Sequence, residues 1–248
     1  MFQPCNGMRY VPFLKALHRA HVFDWYMEVG CRTGRTLADV RGKTIAVDPF
    51  FKVTADIIQD KPALHIFQQK SDAFFKTAFL EKMTTGISFS FLDGMHLFEF
   101  LLRDIINTER NSKPDGVIAL HDCIPYDHEM TSRIVGPEDT GAWTGDVWKL
   151  IPILQRYRPD LNIDVLDCRP TGLVLLSGLS PGDATLSEYY DQILAEWTNV
   201  TLEEFGTERF FGLFEYKSGK AEAKAGFPAF AHLSLEAEAQ QKPEFVSP

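Results

Sequence analysis

EVGCRTG, residues 28–34, decides how the rest of the chain is read. It follows FDWYMEVG (23–30), an apolar run that reads as a strand, and precedes RTLADV (35–40), which reads as a short helix. Glycine between a strand and a helix permits a tight turn and a close approach of backbone to ligand. Gly30 and Gly34 fit E-x-G-x-x-x-G and not the G-x-G-x-x-G of dinucleotide sites. The difference is chemical, because a pyrophosphate wants free N–H groups and no adjacent anion. Glu28 suits a cationic or amino-bearing ligand instead. KTIAVD (43–48) is the next apolar strand, and its terminal Asp48 is placed to accept hydrogen bonds from a ribose diol.

Outward from that loop, strand and helix patterns alternate. YVPFLKALHRA (10–20) brings Val11, Leu14, Leu17 and His18 near helical spacing before the first strand. Residues 54–60 read as a helix, ALHIFQ (63–68) as a strand, 72–82 as a helix, and ISFSFLD (87–93) and DGVIALHD (115–122) as strands. Between the last two, LFEFLLRDIIN repeats Leu97, Leu101 and Ile105 every four residues. Such alternation predicts an α/β, Rossmann-like doubly wound sheet that is mostly parallel. NIDVLDC and TGLVLLSG, separated by Arg169 and Pro170, add an antiparallel strand near the C-terminal edge.

Residues 126–146 lack periodicity and exceed the usual connection length, so they read as a substrate loop or lid. DVWKLIPILQRY (146–157) returns to helical spacing, and 187–205 reads as a helix. The division is an N-terminal helical extension (1–22), one main domain (23–216) and a C-terminal arm or mobile tail (217–248), rich in Ala, Glu and Lys.

The 248 residues are 45% hydrophobic and 24% charged, an ordinary globular composition. A net charge of −9 without any Lys/Arg run disfavours nucleic acid and favours a small-molecule partner. No stretch is long and apolar enough for a membrane span, and MFQPCNGMRY lacks the pattern of a secretory signal, so a cytoplasmic protein is expected. Cys5, Cys31, Cys123 and Cys168 form no C-x-x-C pair and read as reduced thiols. The sequence does not fix oligomeric state, and a homo-oligomer stays open.

Parallel sheets bind ligands beyond the carboxyl ends of their strands. Glu28, Asp48, Asp93 and Asp122 all fall at or beside such ends, and FLDGMH (91–96) and ALHDC (119–123) add His96 and His121. An imidazole near neutrality can take a proton, and carboxylates with imidazole can hold a metal. Trp143, in the irregular loop, is open to ring stacking; Trp148, beside Leu150 and Ile151, reads as core. His18, His21, His65, His128 and His232 read as packing or surface residues.

The ordered set EVGCRTG, Asp48, DGMH and HDC resembles class I S-adenosylmethionine-dependent methyltransferases, with Arg32 where that motif carries its middle glycine. Over residues 23–180 it resembles the subgroup of macrocin-type sugar O-methyltransferases and cephalosporin-hydroxylase-like proteins. The resemblance implies that Glu28, Gly30 and Gly34 face the methionine part of the cofactor and Asp48 its ribose, with Arg32, Thr33 and Asp93 also in the cofactor site. Ser71 and Asp72 would meet the adenine, or would simply cap a helix. It also implies that Asp93, His121 and Asp122 hold a divalent metal, magnesium or manganese, with His96 as base. His121 stands where those enzymes carry Glu, which tilts the site toward manganese, iron or zinc, or toward no metal at all, with His121 then in a supporting or structural role. The expected activity is methyl transfer to a hydroxyl of a small polar acceptor such as a sugar. The alternatives are an adenosyl-cofactor-binding protein that transfers no methyl, and a nicotinamide-dependent oxidoreductase, which the missing G-x-G-x-x-G disfavours.

Overall fold

A computed structural model describes residues 1–83, 85–134 and 142–236 of the chain. In chain order the elements are α1 (Tyr10–Ala20), β1 (Trp25–Val29), β2 (Lys43–Val47), β3 (Leu64–Phe67), α2 (Ser71–Phe75), β4 (Ile87–Leu92), α3 (Phe98–Arg110) and β5 (Ser112–His121). They continue with α4 (Leu150–Tyr157), β6 (Asn162–Leu166), β7 (Leu173–Ser177), α5 (Thr185–Glu188), α6 (Tyr190–Trp197), α7 (Leu202–Phe205), α8 (Thr207–Phe211), β8 (Tyr216–Lys217) and α9 (Gly219–Lys224).

One sheet of order β3-β2-β1-β4-β5-β7-β6-β8 organises the chain. Only β7 runs against its neighbours β5 and β6, so the sheet is Rossmann-like and mostly parallel with an antiparallel strand near one edge, as expected. The central strands are apolar on both faces, which is what a parallel sheet covered on both sides requires. Met27, Val29, Ile45, Val47, Ile118 and Leu120 face a core completed by α3, α4 and α6. Tyr26, Ala46, Phe89, Phe91, Val117 and Ala119 face the other core, completed by α1 and the segment after β8.

Four expected helices change. Of the one read at 72–82, only Ser71–Phe75 is α-helical, followed by a separate 3-10 turn at Leu80–Lys82. The helices read at 35–40 and 54–60 do not form. The chain just before the first segment is tied to the chain leading into the second, the carbonyls of Arg32 and Thr33 accepting from the N–H groups of Lys52 and Thr54 at 2.8 and 3.0 Å. Between them, 34–40 closes as tight turns (Leu37 N–H to Gly34 O, Val40 N–H to Leu37 O). The 187–205 helix is divided into α5, α6 and α7.

Residues 10–20 and 217–236 are built into the fold. Phe13, Leu14 and Leu17 of α1 are fully buried, and Phe227 and Phe230 pack into the same core. Backbone N–H groups of Ser234 and Glu236 bond Asp115 and Asp24. Residues 217–236 are therefore a packed arm; residues 237–248 of the expected tail, and 135–141 of the expected lid, lie outside the described residues. No helix among the described residues is long and apolar enough to cross a membrane.

Candidate functional site

Strand order reverses between β1 and β4, and a crevice outside the strand ends at such a switch point is where open α/β sheets bind ligands. Gly30 and Asp93 end those two strands. Gly30 has φ +92°, its N–H bonds Val47 O at 2.9 Å, and an added Cβ would lie 1.9 Å from the Asp93 carbonyl oxygen. Only glycine fits there. Gly34, at φ +74°, is closed over by Ile57.

The acids expected at the cofactor loop are already engaged within the protein. Glu28 is fully buried and accepts from Tyr26 Oη at 2.6 Å and Thr36 Oγ1 at 2.5 Å. Burial pushes its pKa up to about 7, with those two hydroxyls opposing the rise. Asp48 accepts from the backbone N–H of Arg32 at 2.7 Å and of Phe50 at 2.6 Å. Two of its lone-pair positions remain for a ligand. Arg32 itself has φ +34° with its residue exposed, and Thr33 is half-buried beside it.

Ser71 is the first residue of α2 and not its cap, which is Lys70. Asp72 makes a two-pronged pair with Arg103 of α3 at 2.8 and 2.7 Å. Arg103 in turn donates to Tyr190 Oη at 2.5 Å. Asp72 is thus committed to holding α2 against α3. Next to Ser71 lies Asp104, which the motifs do not mark; burial pushes its pKa up to about 7, and its Oδ1 has no partner.

Four side chains do converge. His121 Nδ1 lies 3.2 Å from both Asp93 Oδ1 and Asp122 Oδ2. His96 Nε2 lies 3.2 Å from Asp122 Oδ2 and 3.5 Å from Asp93 Oδ1. Burial opposes protonation of both rings, yet the two carboxylates outweigh it and raise both pKa values. Burial opposes ionisation of Asp93, and the two rings more than offset it, so its pKa falls.

Each member is fixed from outside the cluster. His96 Nδ1 donates to Trp143 O at 2.8 Å, and the Trp143 ring stacks on the imidazole at 5.1 Å and 27°. A neutral His96 therefore carries its lone pair on Nε2, facing the carboxylates. Gly145, at φ +54°, presses on the His96 carbonyl, and Asp146 Oδ1 accepts the Phe98 N–H at 2.9 Å. That remote carboxylate caps α3, whose own cap position, Leu97, has no acceptor side chain. Asp122, held at φ +60° as short polar residues permit, receives the Thr171 hydroxyl. Tyr10 lies over His121 with ring centroids 3.9 Å apart.

Asp93, His96 and Asp122 each present a ligand atom within 4.8 Å of the others, one nitrogen and two oxygens. This set fits a divalent cation, and its nitrogen favours manganese over magnesium. His96 thereby joins the possible ligands, whereas the sequence reading had it only as base. A separate cleft of about 420 Å³, lined by His128, Arg133, Asp146, Lys149 and Thr198, meets this region through Asp146. Trp148 and His18 are core residues, as read from the sequence.

No family model matches the chain, and no curated protein does. Among solved structures it is similar to the O-methyltransferase TomG from Streptomyces achromogenes in complex with SAM, at 15% identity and TM-score 0.49, covering 68% of this chain and 80% of that one. An O-methyltransferase from Bacillus cereus in complex with SAH gives 9% identity and TM-score 0.49 over the same shares, 68% and 80%. The MycE methyltransferase in complex with Mg, SAH and mycinamycin VI gives 10% identity and TM-score 0.45, over 70% of this chain and 49% of that one. Overlaps of this size leave the fold assignment resting on strand order and direction.

Proposed function

We propose that this chain is an S-adenosylmethionine-dependent O-methyltransferase of the macrocin-like subgroup, acting on a hydroxyl of a small polar acceptor such as a sugar or glycosylated metabolite. The observation that carries the reading is the convergence of Asp93, His96 and Asp122 at the β1/β4 switch point, beside a glycine loop whose neighbouring acid, Asp48, retains acceptor capacity. S-adenosylmethionine, when bound, supplies a methyl group on a sulfonium that is its own leaving group.

The protein's tasks are then alignment and proton removal. The Trp143 carbonyl fixes His96 with Nδ1 as donor, so Nε2 is the atom that takes the acceptor's hydroxyl proton. The imidazolium formed lies between Asp93 and Asp122, which stabilise it. Trp143 beside His96 and the polar cleft lined by His128, Arg133 and Lys149 support a hydroxyl-rich acceptor. The same three donor atoms support a second reading, a divalent cation held by Asp93, His96 and Asp122 that would lower the hydroxyl's pKa. One Nε2 lone pair cannot serve both, so the two readings exclude each other.

Isothermal titration tests the cofactor: S-adenosylmethionine and S-adenosylhomocysteine bind and NAD does not. Selective NAD binding would favour the oxidoreductase and overturn the proposal. Adenosyl binding without any S-adenosylhomocysteine formed across an acceptor screen would favour the non-methylating alternative.

A further inference from the structure

We infer that Tyr10, at the start of α1, is a positioning residue of the Asp93/His96/Asp122/His121 cluster, its ring holding His121 with Nδ1 turned toward both carboxylates. The inference rests on the cluster being the reacting centre.

Tyr10 lies far from every motif in sequence, and a tyrosine opening an amphipathic helix would ordinarily be packing. Its surroundings are not those of a helix start. The ring centroid is 3.9 Å from that of His121, tilted by 40°, while Phe91 meets His121 edge-on at 6.0 Å. The imidazole is thus confined by two aromatic rings. Its Nδ1 bonds the carboxylates, and its Nε2 is buried with no hydrogen-bond partner. Water reaching Nε2 would offer the ring competing hydrogen bonds and compete with the Nδ1 arrangement; Tyr10 is one of the two rings that cover it.

The backbone explains how Tyr10 is held in register with the site. Residues 7–10 are stitched to 167–169: Gly7 N–H bonds Asp167 O at 2.9 Å, Arg169 N–H bonds Met8 O at 2.9 Å, and Tyr10 N–H bonds Arg169 O at 3.1 Å. Arg169 Nε adds a bond to Gly7 O at 2.8 Å. Two residues on, Thr171 holds the Asp122 carboxylate, and its own carbonyl accepts the Ile124 N–H at 3.0 Å. One loop therefore anchors both the ring over His121 and the carboxylate that His121 bonds.

Long-range ¹H–¹⁵N spectra of the full chain labelled in histidine test this, with His121 assigned by its loss in His121→Gln. Tyr10→Phe is expected to leave the His121 ring resonances in place. Tyr10→Ala shifts the Nδ1 resonance and broadens it through exchange between ring orientations, and Tyr10→Leu, which keeps apolar bulk at the docking point, does the same. Unchanged His121 resonances in folded Tyr10→Leu overturn the inference, as does a Tyr10→Phe spectrum matching that of Tyr10→Leu. With an acceptor in hand, Tyr10→Leu is expected to lower kcat about 10-fold, as loss of a supporting contact typically does, with KM for S-adenosylmethionine within about twofold. A chain that binds no adenosyl cofactor would sink the methyltransferase reading while the His121 spectrum still decides the role of Tyr10.

Discussion

A methyl group on Gly30 would fall 1.9 Å from the Asp93 carbonyl oxygen and would impose a left-handed backbone on alanine. Gly30→Ala is therefore expected to cost roughly 3–5 kcal/mol, read as a fall in the urea midpoint at unchanged slope. Glu28 gives a second prediction, in stability against pH. Its folded pKa of about 7 stands above the ordinary 4.5, so below about pH 4.5 both folded and unfolded states are protonated and the group is neutral to stability. Between about 4.5 and 7 only the unfolded state ionises, and stability falls as pH rises; above 7 the loss is constant, about 3 kcal/mol. Glu28→Gln is expected to flatten that window, and an equal slope in both proteins would show that Glu28 is not responsible. At this scale the sequence was partly legible. Asp93, His96, His121 and Asp122 were marked by their strand ends and do meet. Glu28 was marked by the same logic and is spent on Tyr26 and Thr36, because position at a strand end does not reveal which donors lie within reach; Asp72, implied only by the resemblance, is spent on Arg103. Nor does it reveal Tyr10 or Thr171, which join the site only through tertiary bonds to distant loops.

Elements show where periodicity suffices and where it does not. The β1 to β5 strands and α3 were readable because a buried strand must be apolar throughout and a covering helix must repeat every three to four residues. The segments 35–40 and 54–60 carried acceptable helical patterns, yet the chain entering each is bonded to the chain entering the other, a tertiary constraint that no local pattern records. Whether the segment after β8 is an arm or a mobile tail was not legible for a related reason: its Ala-, Glu- and Lys-rich composition shows no periodic apolar face, while two aromatics, Phe227 and Phe230, with Ala223 and Ala229, do the packing. Phe230 is 1% exposed and meets Phe89 at 5.3 Å and Phe23 at 6.1 Å. Phe230→Ala is expected to cost about 3 kcal/mol or more by thermal unfolding, close to a core truncation anywhere else in the sheet. A variant within about 0.5 kcal/mol of the parent would return the arm to the status of a loose appendage.

For the whole molecule, the sheet order brings acids from four separate strand ends to one edge, and the two remote segments 143–146 and 167–172 sort them into a working pair of Asp and His. The decision between base and metal chemistry is made here. Exhaustive chelation is expected to leave turnover within about twofold if His96 is the base, and to depress it at least 10-fold, with recovery on adding manganese, if Asp93, His96 and Asp122 hold a cation. His96→Ala lowers turnover in either case while leaving the affinity for S-adenosylmethionine nearly unchanged. Unaltered turnover in His96→Ala would remove this cluster from the reaction altogether.

The loop at 167–172 also dictates an order of events during synthesis. Domains grow from the N-terminus on the ribosome, and Tyr10, Asp93, His96 and Asp122 all emerge early. The backbone that docks Tyr10 and the hydroxyl that steadies Asp122 belong to Arg169 and Thr171. A nascent chain ending just past β5, at Asp122, holds every one of these reactive side chains without the braces that set them, so chemical competence arrives late, with the hairpin of β6 and β7.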